Sequence, residues 1–227
     1  MTIGVGFLCP DGVVLCADRQ MTGQGYKFQE SKIFSIQRRD YSFIFSYAGD
    51  PDAARMMFER TRDTMRRVTV GDNESMKDAI KRTLEKTFTD KQTKGLHTLI
   101  GIRTKEEHFL LKTKGNRVVE GFTEYIGFGD SSALRYLCDF LLEQQLPACK
   151  ALVLGSYIVS VAGRYVEYCG EDSNHATLYA DGQLVRGSGG PWPNARERFR
   201  YCEDEIGKGL RDLLFSGGTK RIETVMP

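Results

Sequence analysis

Met1-Thr2-Ile3-Gly4-Val5-Gly6-Phe7-Leu8-Cys9-Pro10-Asp11-Gly12-Val13-Val14-Leu15-Cys16-Ala17-Asp18-Arg19 reads as a β-hairpin. Cys9-Pro10-Asp11-Gly12 has the composition of a type I turn, with Pro in the second position and Gly in the fourth. Residues 2–9 and 13–18 are the expected strands. Closing the turn carries Asp18 back to the end where Thr2 stands, so a hydroxyl and a carboxylate distant in sequence are expected to be close in space. Removal of Met1 would leave Thr2 with a free α-amine beside its own hydroxyl, which is one way to build a nucleophile together with its base.

Outward from this hairpin, residues 32–37 and 41–48 read as a second one across Arg38-Arg39-Asp40. A helix from about Pro51 to Val68 follows, with Ala54, Met57, Phe58, Thr61, Met65 and Val68 at helical spacing. A second helix starts at Ser75, which with Asp78 forms a capping-box variant, and its apolar face is Ala79, Ile80, Leu84 and Phe88. Strands are predicted at His97–Arg103, His108–Thr113 and roughly Glu120–Phe128. Leu134, Leu137 and Leu141 mark a third helix. A fourth, over most of 148–168, is apolar on nearly every side and is expected to be buried between layers or against another subunit. A last hairpin spans Ala176–Ala180 and Leu184–Arg186. After the break Gly187-Ser188-Gly189-Gly190-Pro191-Trp192-Pro193, Asn194 is placed to cap a helix to about Leu214, with the stripe Phe199, Cys202, Ile206, Leu210 and Leu213 docked on this chain or a neighbour. Helices grouped between runs of strands argue for an α+β fold rather than alternating β-α units.

Composition bounds the function. The chain has 227 residues, 41% of them hydrophobic, enough for one sizeable core. A net charge of +2 makes no case for nucleic acid or an anionic membrane. There is no apolar run of membrane-spanning length and no basic leader before the first strand, so a cytoplasmic protein is expected. Cys9, Cys16, Cys138, Cys149, Cys169 and Cys202 form no Cys-x-x-Cys pair and read as buried free thiols. His97, His108 and His175 are too scattered for a ligand motif, so neither a metal nor a cofactor is expected.

Taken together, Thr2, the Asp11-Gly12 turn, Ala17-Asp18-Arg19, Ser31-Lys32-Ile33-Phe34-Ser35-Ile36 and Phe45-Ser46-Tyr47-Ala48-Gly49-Asp50 resemble the proteasome β-subunit family of N-terminal nucleophile hydrolases. The likeness is strong over residues 2–60 and collinear to about 185. It implies a four-layer αββα sandwich of two antiparallel sheets flanked by helix pairs. Residues 1–186 would form the hydrolase core, and 187–227 a C-terminal helix and tail packed on the same domain. It further implies a threonine peptidase acting through an acyl-enzyme on Thr2. Lys32 would supply the cation that lowers the pKa of the α-amine, and Asp18 would hold the Lys32 ammonium. Each residue alone has an ordinary reading: a chance Thr after Met, a turn Asp, a strand-edge Lys. Their order and surroundings carry the argument. Arg19 beside Asp18 reads as a structural ion pair.

The chain also departs from the family pattern. The oxyanion donor, a backbone amide of Gly in the family, falls on Ser46. The Gly-Ser-Gly motif is replaced by Gly127-Phe128-Gly129-Asp130-Ser131, so Ser131 or Asp130 would have to take over support. The Asp-x-x-Ser motif becomes Gly170-Glu171-Asp172-Ser173, leaving Asp172 and Ser173 as supporting candidates. Ser173-Asn174-His175 is more like the HslV-type bacterial peptidase, which makes this a divergent bacterial-type member. Without the helical extension of α-type subunits or a propeptide, it resembles the catalytic type, matured by loss of Met1. The family's pocket positions fall on Gln20, Met21, Ser31, Phe45 and Gly49, an open and mainly apolar set. The implied partners are a polypeptide substrate, further copies in a ring-shaped homo-oligomer and an ATPase. The competing readings are a narrow amidase or transpeptidase, told apart by an added amine acceptor, and a non-catalytic assembly subunit.

Overall fold

The computed structural model describes residues 2–23, 26–68, 74–88, 94–114, 117–127, 146–167, 169–189 and 194–211. Phe128 to Ser131, Cys138, Leu213 and the helix expected around Leu134, Leu137 and Leu141 lie outside them. One five-stranded antiparallel sheet has the order β10 (Thr123–Gly127), β1 (Ile3–Cys9), β2 (Gly12–Asp18), β11 (Ser173–Tyr179), β12 (Leu184–Ser188). A second runs β5 (Ile33–Gln37), β6 (Ser42–Ala48), β7 (His97–Arg103), β8 (His108–Lys114), β9 (Arg117–Glu120). The helices α1 (Pro51–Met65) and α2 (Met76–Thr87) cover the second sheet, and α3 (Ala148–Tyr165) covers the first.

The period-2 alternation of the strands sorts their side chains into three apolar layers. Ile3, Val5 and Phe7 of β1, with Val14 and Cys16 of β2, pack on Ala151, Leu154 and Ile158 of α3. Val13, Leu15 and Ala17 face Ile44, Leu99 and Leu110 between the sheets. Phe43, Phe45 and Tyr47 of β6 pack with Met57, Ile80 and Leu84 under α1 and α2. These three layers make the four-layer αββα sandwich. Small residues let the sheets close: a Cβ on Gly6 would stand 2.8 Å from Leu15 and 3.1 Å from Leu110, and one on Gly101 2.6 Å from Val13.

Helix starts follow from caps. Asp50 Oδ1 accepts from the Ala53 amide at 2.8 Å, and Ser75 Oγ from the Asp78 amide at 3.1 Å, each of a kind that contributes about 1 kcal/mol. α3 has no cap of its own from Pro147; the Asp11 carboxylate in the first hairpin turn accepts from the Ala148 amide at 2.8 Å. That turn therefore also fixes the start of a helix 137 positions away.

Several boundaries differ from the sequence expectation. The strand expected over roughly Glu120–Phe128 is β10, Thr123–Gly127, and an unexpected strand, β9, precedes it in the other sheet. The chain crosses at Gly121 and Phe122, where the Gly121 amide donates to Leu110 O of one sheet and Phe122 O accepts from the Leu8 amide of the other. An additional ribbon, β3 (Gln20–Gly23) with β4 (Tyr26–Gln29), extends β2 past Asp18. The last hairpin begins earlier than expected, at Ser173. α4 (Ala195–Arg211) lies against α3 through an edge-on contact of Phe199 with Tyr157, at 5.4 Å between ring centroids, and an Arg164–Glu203 ion pair. Cys149 and Cys202 are exposed rather than buried, because both line an open groove between α3 and α4; Cys9, Cys16 and Cys169 are buried.

Candidate active site

Antiparallel pairing brings many element ends to one end of the sandwich. Thr2 precedes β1, Asp18 ends β2, Lys32 precedes β5, β6 ends at Ala48, and β11 begins at Ser173, opposite Asp18 in register. The chain folds Asp18 and Lys32 together with no exposure of either side chain. Lys32 Nζ donates to both Asp18 oxygens at 2.9 Å. The same carboxylate accepts main-chain amides from Ile3 at 2.9 Å, Gln20 at 3.1 Å and Gly170 at 3.3 Å. A buried ion pair survives only when its remaining hydrogen-bonding capacity is satisfied, and here the amides do this. Because Oδ1 takes both the Ile3 amide and the Lys32 ammonium, one oxygen sets the residue after Thr2 relative to the cation. Thr2 itself is buried, and its carbonyl oxygen lies where a Cβ on Gly127 would fall.

The Gly170 amide reaches Asp18 because α3 presents Gly163 to the returning loop: any side chain there would overlap the Gly170 carbonyl group. Cys169 lies alongside. Burial pushes its thiol up to about 12, with Asp18 adding to the rise and Lys32 opposing it. These main-chain donors are the part of the site that residue types did not announce, apart from the unexplained glycines at 163 and 170.

The other expected residues are placed as follows. Ser46 pairs with Ile33 and Leu99, and its buried hydroxyl lacks a partner within the described structure and points between the sheets near Gly4. Pairing of β6 with β5 stops at Ser46–Ile33, while pairing with β7 continues to Ala48. Lys32 leaves the sheet toward Asp18 there, so among the described residues no strand pairs with Tyr47-Ala48-Gly49 on that side. Ser173 is buried opposite Asp18, and Asp172 O accepts from the Arg19 amide at 3.0 Å. Ser131 lies outside the described residues. Of the pocket positions, Gln20 bonds Asp18 through its amide, Met21 is half-buried on β3, and Ser31 Oγ accepts from the Ile33 amide at 3.3 Å. Gly49 holds a φ of 133° against Gly95 and Leu96.

Two expectations are corrected. Phe45 does not line an open pocket: it packs against Phe34 and Phe58 on the helix side of its sheet, because its parity is that of Phe43 and Tyr47. Arg19 does not pair with Asp18: neighbours on a strand leave opposite faces, the carboxylate is occupied by Lys32, and Arg19 Nε is buried without a partner.

Among the described residues no group of three or more His, Cys, Asp or Glu side chains is placed to hold a metal ion, and no helix is long and apolar enough to cross a membrane. A fixed cation, its buried carboxylate and a hydroxyl at a strand start are together suited to nucleophilic acyl transfer.

No curated protein sequence matches the chain. Solved structures that resemble it include a Gly-1 mutant of Anbu from Hyphomicrobium sp. strain MC1, with a TM-score of 0.72 and 14% identity over 94% of this chain and 97% of that one. Anbu, an ancestral beta-subunit, from Yersinia bercovieri gives 0.68 and 14% over 99% and 98%. The helical assembly of the Anbu complex from Pseudomonas aeruginosa gives 0.67 and 12% over 93% and 95%. At these identities the likeness is one of fold. The family model for proteasome subunits matches residues 2–170, which takes in Thr2, Asp18, Lys32 and the Gly170 amide alike, and the chain belongs to the proteasome subunit family.

Proposed function

We propose that this chain is a threonine-type endopeptidase whose nucleophile is Thr2 once Met1 has been removed. The observation that carries the reading is the fully buried Lys32–Asp18 pair, tied by Asp18 Oδ1 to the amide of the residue after Thr2.

The chemistry follows from that geometry. Thr2 Oγ attacks the carbonyl carbon of a peptide bond, and its proton passes to the free α-amine of the same residue. The positive charge of Lys32 keeps that amine neutral by disfavouring a second cation beside it. The oxyanion is met by main-chain amides at the open end of β6, between Ser46 and Gly49, where the departure of Lys32 frees the strand edge. As the tetrahedral intermediate collapses, the C–N bond breaks and the amine leaves with the proton. An ester on Thr2 remains. Water then attacks the ester, gives a proton to the α-amine, and Thr2 Oγ recovers it as the acid departs. Ser173 supports Asp18 from the facing strand, with Asp172 and Ser131 as further candidate supports.

The peptidase would work in the cytoplasm as a homo-oligomer that secludes its sites, in a ring or a helix, with an ATPase delivering polypeptide. The helical assembly of the Anbu complex supports self-association of this kind.

The test is an intact mass before and after exposure to a peptide epoxyketone, an electrophile that needs a hydroxyl and an α-amine on one residue. Loss of Met1 and a single adduct are expected, with none on Thr2→Ala. Retained Met1 and no adduct would overturn the assignment.

A further inference from the structure

A cleft of about 250 Å³ opens between the start of β5 and the β11–β12 hairpin, lined by Ser31, Ile33, Asn174, His175, Arg186 and Ser188 among others. It adjoins the site on two elements: Ser31 precedes Lys32, and Asn174 follows Ser173, the register partner of Asp18. Among the described residues Arg186 is the one Lys or Arg lining it, and it stands exposed on the edge strand β12. Arg186 Nη1 donates to Ser35 Oγ at 3.1 Å, and among the described residues no carboxylate pairs with the guanidinium. Lys32, next along the chain from Ser31, is committed to Asp18.

The walls are polar and unfinished. Asn174 is 8% exposed, and its Oδ1 has no partner among the described residues. Buried polar groups without partners are uncommon and mark places where a ligand or water completes the bonding. Arg186 thus supplies the charge of the cleft. A guanidinium fork offers two parallel N–H donors, the geometry that a carboxylate accepts best.

We propose that this cleft is a carboxylate-binding subsite for the polypeptide being cleaved. Arg186 holds the carboxylate bidentately, and the Ser188 hydroxyl is a further donor at the rim. The carboxylate is either an Asp or Glu side chain or the C-terminus of the peptide. The inference rests on the peptidase reading, since it assigns the ligand to the substrate of that site.

Calorimetric titration of the full-length Thr2→Ala protein tests it without turnover. Four versions of one peptide are compared: free C-terminus with Gln, amidated C-terminus with Gln, amidated with Glu, and free with Glu. Removing the recognised carboxylate is expected to weaken binding at least about tenfold, and the arm in which this occurs identifies its source. Arg186→Gln removes the preference while leaving the amidated Gln peptide unaffected, and Arg186→Lys keeps only part of it. Equal binding of all four peptides, no binding of any, or a preference that survives Arg186→Gln overturns the proposal. Epoxyketone labelling of the Thr2-containing protein separates the two ideas. Labelling without acid preference sinks the cleft alone, and acid preference without labelling sinks the peptidase reading alone.

Discussion

The carbonyl oxygen of Thr2 occupies the space in which a side chain on Gly127 would begin, and Gly127 holds a left-handed φ of 64° there. The last residue of β10 is thereby pressed onto the main chain at the start of β1, where the two strands pair through Ile3 and Gly127. Gly127→Ala adds both left-handed strain and an overlap. A loss of at least about 1–2 kcal/mol in denaturant unfolding is expected, with slower epoxyketone labelling of an intact Thr2. Unchanged stability and labelling would show that the contact does not position Thr2.

Lys32→Met removes the cation from a carboxylate with no exposure. Breaking one partner of a buried pair costs about 3–5 kcal/mol, and the three amides on Asp18 place this case toward the lower end. On the proposed peptidase reading, labelling of Thr2 should fall by about 10²-fold or more, since its α-amine loses the neighbouring charge. The double variant Lys32→Met, Asp18→Asn should be less destabilised than the two single losses summed. Additive losses would argue that the two side chains are not energetically coupled.

Thiol reactivity should divide by burial. Burial pushes Cys9, Cys16 and Cys169 each up to about 12, which leaves about one molecule in 10⁴ as thiolate at pH 8. Cys149 and Cys202 are exposed. Iodoacetamide on the native protein, read by peptide mass, should therefore modify Cys149 and Cys202 within minutes and leave Cys9, Cys16 and Cys169 untouched until denaturant is added. Rapid native labelling of Cys169 would contradict its place beside Asp18.

His175 has its pKa lowered by burial. Between that folded value and the unfolded value of about 6.5 the unfolded chain binds more protons, so stability rises with pH through this window and is lost as pH falls below about 6.5. Comparing Tm against pH for the wild type and His175→Gln isolates the effect. The difference between the two curves should grow in acid and flatten above about pH 7. Parallel curves would place the ring in a more solvated setting.

Much of this was legible because it depends on strand periodicity. The hairpin around Pro10-Asp11 has a turn signal and two alternating apolar strands, so the approach of Asp18 to Thr2 followed directly. The same alternation, applied along Phe43 to Ala48, would have sent Phe45 to the helix side with Phe43 and Tyr47, and would have turned Arg19 away from Asp18. The ribbon after Asp18 was not legible: Tyr26 and Phe28 on β4 are exposed, so no buried face marks it. The crossing at Gly121-Phe122 depends on which sheet has a free edge, a property of the assembled sandwich. The donors on Asp18 from Ile3, Gln20 and Gly170 are main-chain groups, which every residue but proline carries and no residue type reveals.

Those donors have one more consequence. The ligands of a single carboxylate come from positions 3, 20, 32 and 170, so the set closes only after the loop following α3 has docked. A nascent or truncated chain that lacks the loop after α3 would hold Thr2 and Lys32 but an incompletely bonded Asp18. The bonding of that one carboxylate thus registers the docking of segments far apart along the chain.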